Sequence, residues 1–280
     1  NANYLESAVI YPTEPKKDYE NSKNKVLQLA KKYNITGVAI GNGTGSRETQ
    51  EFFARLNSEE KINLSYTVVS EAGASVYSAS KLAQDEYPQL DVTIRGAISI
   101  AQRLRDPMAT LVKIDPKSLG IGQYQHDVDQ KLLEKKLGDV TSDLVNRVGV
   151  DINSASAALL SHVAGIGAKI AQNIIDFRAE NGNFTTKAEL LKVKGLGKKA
   201  YEQAAGFIRI KNAENDFDNS GIHPESYLAA SKLKGEDLTQ IDAKEKASLI
   251  GVGVETLKDI IKELLKPGFD PREELPPIPF

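Results

Sequence analysis

A repeat in the middle of the chain constrains the fold more than any other feature. Residues 163–179, VAGIGAKIAQNIIDFRA, align with residues 193–209, VKGLGKKAYEQAAGFIR, at an offset of 30. Both copies place glycine third and fifth (Gly165 and Gly167; Gly195 and Gly197), an apolar residue between them (Ile166; Leu196) and lysine seventh (Lys169; Lys199). An amphipathic helix is predicted after each. A helix ending at Val-x-Gly needs a positive φ to turn sharply, and glycine adopts it without strain. The apolar residue between the glycines anchors the bend in the core. The second glycine opens the next helix and leaves its first backbone N–H groups uncovered, where the helix dipole favours an anion. A lysine one turn in reaches the same anion as a point charge.

This spacing resembles the helix-hairpin-helix family, and the pair resembles its tandem form. In that family two hairpins related by a pseudo-twofold hold backbone phosphates without reading base sequence. The resemblance implies that the contacting positions are Gly165, Gly167, Lys169, Gly195, Gly197, Lys198 and Lys199. The alternative is that such hairpins only pack helices together or bind a protein. A third copy, IGVGVETLKDII at 250–261, repeats the glycines as Gly251 and Gly253 but carries Glu255 where the others carry Lys169 and Lys199. A carboxylate there repels phosphate, so this copy is expected to be structural.

Charge agrees with that division. The net charge of −2 does not by itself suggest a polyanion ligand. Residues 1–150 balance 19 basic against 19 acidic side chains, residues 151–211 hold 9 against 5, and residues 212–280 hold 8 against 14. The only basic segment is the one containing the repeat, and phosphate binding needs local positive charge rather than a basic average. There is no cysteine, which excludes disulfides and thiolate metal sites, and the three histidines, His126, His162 and His223, are far apart. No metal or other cofactor is expected. No apolar run approaches the roughly 18 residues of a membrane span, so a soluble cytoplasmic protein without membrane contact is expected.

Along the chain, an α/β part precedes a mainly α part. Strands are predicted at Tyr4–Tyr11, Gly37–Gly41 and Ile62–Val69. Helices are predicted at Lys16–Tyr33, Arg47–Leu56 (capped by Thr44 or Ser46), Glu71–Gln84 and Asp91–Leu104 (capped by Asp91). Beyond Lys113 no strand is expected; Asp127–Leu137 and Val140–Val148 read as helices. Asn181–Phe184 is a turn, with Thr185 or Thr186 capping the next helix. The last residues, 267–280, hold five of the eleven prolines and read as an extended linker. The implied domains are 1–112 (α/β, its leading strands missing), 113–150 (connecting helices), 151–211 (tandem hairpins), 212–266 (small helical domain with the degenerate hairpin) and 267–280 (linker).

Several stretches together resemble the bacterial transcription accessory (Tex) family: GNGTGSRETQEF at 41–52, VSEAGASVYSAS at 69–80, LDVTIRGAISIAQRLRDP at 90–107, VKIDPKSLGIGQYQHDV at 112–128, GIHPESY at 221–227 and PGFDPREELP at 267–276. More distantly the chain resembles the core of a eukaryotic elongation factor that chaperones histones. The Tex resemblance covers nearly all 280 residues. It implies a truncated RNase H-like (YqgF) domain, then a helical tandem helix-hairpin-helix domain and a small helical C-terminal domain. In the family a helical region precedes these and an OB-fold RNA-binding domain follows, so the chain reads as a central fragment. The partners implied are DNA or RNA, and possible protein partners are RNA polymerase or other transcription factors.

An enzyme is not expected. RNase H-like nucleases hold two metal ions between acidic side chains; Glu71 and Asp91 fall near two such positions, but the strand bearing the first acid is missing. Glu71 is explained as an early helix residue and Asp91 as an N-cap. A junction-resolving nuclease is the alternative, as is a protein-interaction scaffold. GNGTG at 41–45 lacks the P-loop lysine and reads as a tight strand-to-helix turn; a phosphate contact beside Arg47 is its other reading. Gln123, Tyr124 and His126 are expected to make buried hydrogen bonds, with His126–Asp127 carrying no catalytic role. Lys131, Lys135 and Lys136 are expected to form a solvated helix face.

Overall fold

A computed structural model describes residues 4–266. The chain divides into two compact units, residues 4–130 and 131–266. The proline-rich segment 267–280 lies outside the described residues.

The first unit is built on one βαβ element. β1 (Gly37–Gly41) pairs in parallel with β2 (Ser65–Val69), in register Gly37↔Ser65 to Gly41↔Val69. α1 (Tyr19–Tyr33) precedes β1, and α2 (Ser46–Glu60) crosses between the strands. Ile40, Phe52, Phe53, Leu56 and Leu64 form the buried cluster there, and Leu56 is fully inaccessible. α3 (Ala74–Ala79), α4 (Lys81–Glu86), α5 (Val92–Arg105) and α6 (Pro107–Leu111) come next, then a 3₁₀ turn at Pro116–Leu119.

Several local expectations are corrected here. Tyr4–Tyr11 forms no strand: no ladder partner pairs with it among the described residues, and Leu5 and Val9 stand exposed. α1 begins at Tyr19 rather than Lys16, because the chain still turns at Lys17, whose φ is +45°. Gly45, not Thr44 or Ser46, caps α2, with φ +84° and no capping side chain. The single helix expected over Glu71–Gln84 is two. Ser80 takes extended backbone and its Oγ accepts the Ala83 N–H at 3.1 Å, which starts α4 afresh. Gln123, Tyr124 and His126 are exposed and not buried; Gln125 is the residue turned inward, its amide donating to the Lys117 carbonyl at 3.0 Å.

The second unit opens with α7 (Gln130–Val148), one helix where two were expected. Gly138 costs a helix about 1 kcal/mol and does not end it. Lys131, Lys135 and Lys136 are exposed on it. Then come β3 (Val150–Asp151), α8 (Ala157–Leu160), α9 (Ala168–Asn181), a 3₁₀ helix at Lys187–Lys192, α10 (Lys198–Ala204) and β4 (Ile208–Arg209). β3 and β4 pair in parallel, Val150↔Ile208 and Asp151↔Arg209, a ladder the apolar pattern did not announce. It joins the beginning of the repeat to its end. α11 (Tyr227–Leu233), α12 (Ala243–Ile250) and α13 (Val254–Leu265) complete the unit around Phe217, Ile222, Ala230, Leu233, Leu257 and Ile260.

A buried lysine ties the repeat to these last helices. Lys187, 1% exposed, donates through Nζ to the carbonyls of Ser220 (3.0 Å) and Ile222 (3.3 Å). Its own N–H goes to the buried Asp218 carboxylate at 3.0 Å, which also receives the Tyr227 hydroxyl. Burial pushes the Lys187 ammonium down to about 7, and the Arg209 cation adds to this.

Candidate nucleic-acid interface

The two glycine bends have the same backbone. Gly165 and Gly195 sit at φ +80° and +84°, each two residues past a buried valine whose carbonyl accepts from the next apolar residue: Ile166 N–H to Val163 O at 3.0 Å, Leu196 N–H to Val193 O at 3.1 Å. Ile166 and Leu196 are each 3% exposed, so the anchor expected between the glycines is present in both. Gly167 and Gly197 then cap α9 and α10 in extended backbone, φ −82° in both, with no side chain bonded to the helix start. The first helical bonds are Ala171 N–H to Gly167 O (2.9 Å) and Tyr201 N–H to Gly197 O (3.0 Å). The amides of residues 168–170 and 198–200 therefore have no partner within their helices. Nothing lies within 4 Å of where a Cβ would stand on Gly167 or Gly197. Lys169, Lys198 and Lys199 are all exposed beside them.

The bends pack on each other reciprocally. Asn173 on α9 donates its Nδ2 to the Lys194 carbonyl in the second bend at 2.7 Å. Its counterpart at offset 30 is Gln203 on α10, and a Cβ on Gly165 would fall 2.9 Å from the Gln203 Cβ and 2.7 Å from the Ala200 carbonyl oxygen. Each hairpin's second helix thus meets the other hairpin's turn, the arrangement a pseudo-twofold produces. The structure brings together all seven sequence-derived positions, Gly165, Gly167, Lys169, Gly195, Gly197, Lys198 and Lys199, on two adjoining turns, with Gly165 half-buried and the other six exposed.

The first bend is also fastened from behind. Asn146 on α7 accepts the Ala164 N–H (3.1 Å) and donates to the carbonyls of Ser142 (2.8 Å) and His162 (3.3 Å). His162 is half-buried there, and burial pushes its imidazole down. The turn after α9 is as expected, but neither Thr185 nor Thr186 caps the following 3₁₀ helix through its side chain; Glu189 reaches back to the Thr185 N–H at 2.9 Å instead. Lys194 was not among the positions expected from the repeat. It is exposed inside the second bend, where the first bend has Ala164.

The third bend differs. It leaves a regular helix, with Gly251 and Val252 N–H both reaching the Ala247 carbonyl (2.9 and 3.1 Å). Gly253 caps α13 without a side-chain bond, but the exposed residue two beyond is Glu255, paired with Lys258 at 2.6 Å. Its charge is opposite to that of the first two.

In the first unit, GNGTG is the tight strand-to-helix turn expected. Asn42 N–H donates to Val69 O at 3.0 Å and Asn42 Oδ1 accepts the Glu71 N–H at 3.0 Å. Glu71 precedes α3 rather than lying in it, and its carboxylate rests against Gly41 and Gly43. Arg47 is paired with Glu51 at 3.4 Å. Asp91 is an N-cap, accepting the Ile94 N–H at 3.0 Å. Among the described residues no three carboxylate or imidazole side chains are grouped to hold a metal ion, and no helix is long and apolar enough to cross a membrane.

A parallel βαβ unit followed by paired and then single glycine hairpins defines a class: a YqgF-like domain joined to helix-hairpin-helix domains. Residues 1–105 match the Tex protein YqgF-like domain, residues 145–209 the helix-hairpin-helix motif, and residues 215–272 a further helix-hairpin-helix (HHH) domain. The chain belongs to the Tex family. It is 48% identical over 284 aligned residues to Protein tex of Bordetella pertussis, covering 96% of this chain and 36% of that protein. It is 48% identical to the Transcriptional accessory protein Tex of Neisseria gonorrhoeae, covering 91% of this chain and 36% of that protein. A human protein, S1 RNA-binding domain-containing protein 1, is 51% identical over 189 residues, 66% of this chain and 19% of its own length. The chain thus spans about a third of the length of the bacterial relatives.

Proposed function

We propose that this chain is the nucleic-acid-binding central part of a transcription accessory protein, holding backbone phosphates without sequence preference through its tandem hairpins. The observation that carries the reading is the reciprocal packing of the two bends, which sets two runs of amides without helical partners, and their lysines, side by side on the surface. Phosphate oxygens accept from amides at a helix start and pair with ammonium groups. Backbone amides and ammonium groups hold phosphate whatever the base, so the contacts would position a strand rather than select a sequence. The names of the relatives, one a transcriptional accessory protein and one an S1 RNA-binding domain-containing protein, support the same direction. A protein partner such as RNA polymerase belongs to this proposal on the first of those names alone. The reading assigns binding and no reaction to the chain.

The test is binding of fluorescent DNA and RNA oligonucleotides, with salt titrated. Affinity is expected to fall with salt, as counterion release requires. The double substitution Lys169→Glu with Lys199→Glu should weaken binding at least tenfold. Unchanged binding of both nucleic acids by that variant would remove the support.

A further inference from the structure

The two hairpins are alike in backbone and unlike in charge. Pairing residues at offset 30 sets His162 against Lys192, Ala164 against Lys194, Ala168 against Lys198 and Lys169 against Lys199. Four positions around one turn thus hold one lysine, and the same four around the other hold four. Lys192 is committed to Glu189 at 3.1 Å, while Lys194, Lys198 and Lys199 are exposed and form no ion pair among the described residues. Carboxylates do not cancel the difference. Glu202 stands where the first copy has Gln172, but Asp176 stands where the second has Gly206. The glycines differ in the same sense: Gly165 is closed in by Ala200 and Gln203, whereas a Cβ on Gly195 would meet only the Asn173 amide, at 3.7 Å. The first glycine of one bend is closed in, while that of the other is open and its bend is held across the pair through the Lys194 carbonyl.

We infer that the hairpins divide a polyanion unequally: the bend at Gly195 and Gly197 carries most of the phosphate grip, with Lys194 as a contact of its own, and the bend at Gly165 and Gly167 chiefly supports it. This rests on the nucleic-acid reading above and adds a division of labour to it. A unit that held two strands equally would need matching charge at its twofold-related positions, and three of the four pairs do not match.

The experiment uses the full chain with single-stranded and duplex DNA oligonucleotides of equal length, each titrated at several salt concentrations. Circular dichroism and thermal midpoints establish that each variant is folded. Lys194→Glu combined with Lys198→Glu and Lys199→Glu is expected to lower affinity more than tenfold. It should also flatten the plot of log K against log salt by about 2 on a single strand and nearer 3 on a duplex, from roughly 0.7 and 0.9 per phosphate contact. Lys199→Glu alone should cost at least three times as much affinity as Lys169→Glu alone. Ala168→Lys, which gives the first turn one of the lysines of the second, should raise affinity and steepen the slope by about 1. Equal losses from Lys169→Glu and Lys199→Glu overturn the unequal division and leave the nucleic-acid reading intact. A wild-type chain that binds neither DNA nor RNA oligonucleotides of that length, or variants that all bind as the wild type does, overturn both.

Discussion

Gly165 and Gly167 are two residues apart and serve different ends. Gly165 holds φ +80° with backbone and side-chain atoms pressed against it, so Gly165→Ala meets both an unfavourable conformation and a collision with the Ala200 carbonyl. A cost of roughly 2–3 kcal/mol is expected. Gly167 lies in extended backbone with open space beyond it, and Gly167→Ala should stay within about 1 kcal/mol. Urea denaturation of both variants checks this, and equal costs would contradict it. Lys187 offers a second residue-scale test. Its folded value of about 7 lies below the 10.5 of an ordinary lysine, so between those values the unfolded chain binds more protons than the folded one. Stability from this group therefore rises as pH increases through that window and is lost as pH falls toward 7. The wild-type chain should gain stability from pH 7 to pH 9 relative to Lys187→Met, measured as the difference between their denaturation midpoints. A gap that stays constant across that range would sink the assignment.

At the scale of elements, the outcome turned on how much of each segment's structure is local. GVAIG at 37–41 was legible to the residue as a parallel strand, because an apolar run bounded by glycines has few alternatives, although Ile40 is its one buried residue. The Asp91 cap was legible because an aspartate before an amphipathic run has one geometry to satisfy. Asp91→Ala should cost about 1 kcal/mol by that route, read as a shift in thermal midpoint; a change near zero would mean that the cap bond contributes nothing. What failed was non-local. Tyr4–Tyr11 has the apolar and aromatic residues of a strand, yet composition supplies no ladder partner. β3 and β4 are two residues each and owe their existence to the repeat closing on itself, which no local pattern encodes. The hairpins were visible because glycine spacing encodes φ directly. Lys194 was not, since comparing the copies for what they share passes over the position where they differ, and the Asn173–Gln203 exchange needs the third dimension.

Over the whole molecule, a net positive charge is confined to residues 151–211. The near-neutral first unit and the acidic residues 212–280 flank a basic middle, so any polyanion should be drawn to one region rather than spread over the surface. The α/β-then-α architecture was legible from the order of apolar patterns, and the two glycine bends from the repeat; the resemblance to the helix-hairpin-helix family supplied the seven proposed contacts. The β3–β4 ladder adds something of a mechanical kind. Because Val150 and Ile208 are neighbours, the chain enters and leaves the hairpin pair at almost the same point. A pull applied between α7 and the helices beyond the hairpins would load these two parallel residue pairs in shear, alongside the Asn146 and Lys187 bonds. The first glycine turn, bonded to α7 through Asn146, would feel that pull, and the second would be shielded until the short clasp parts.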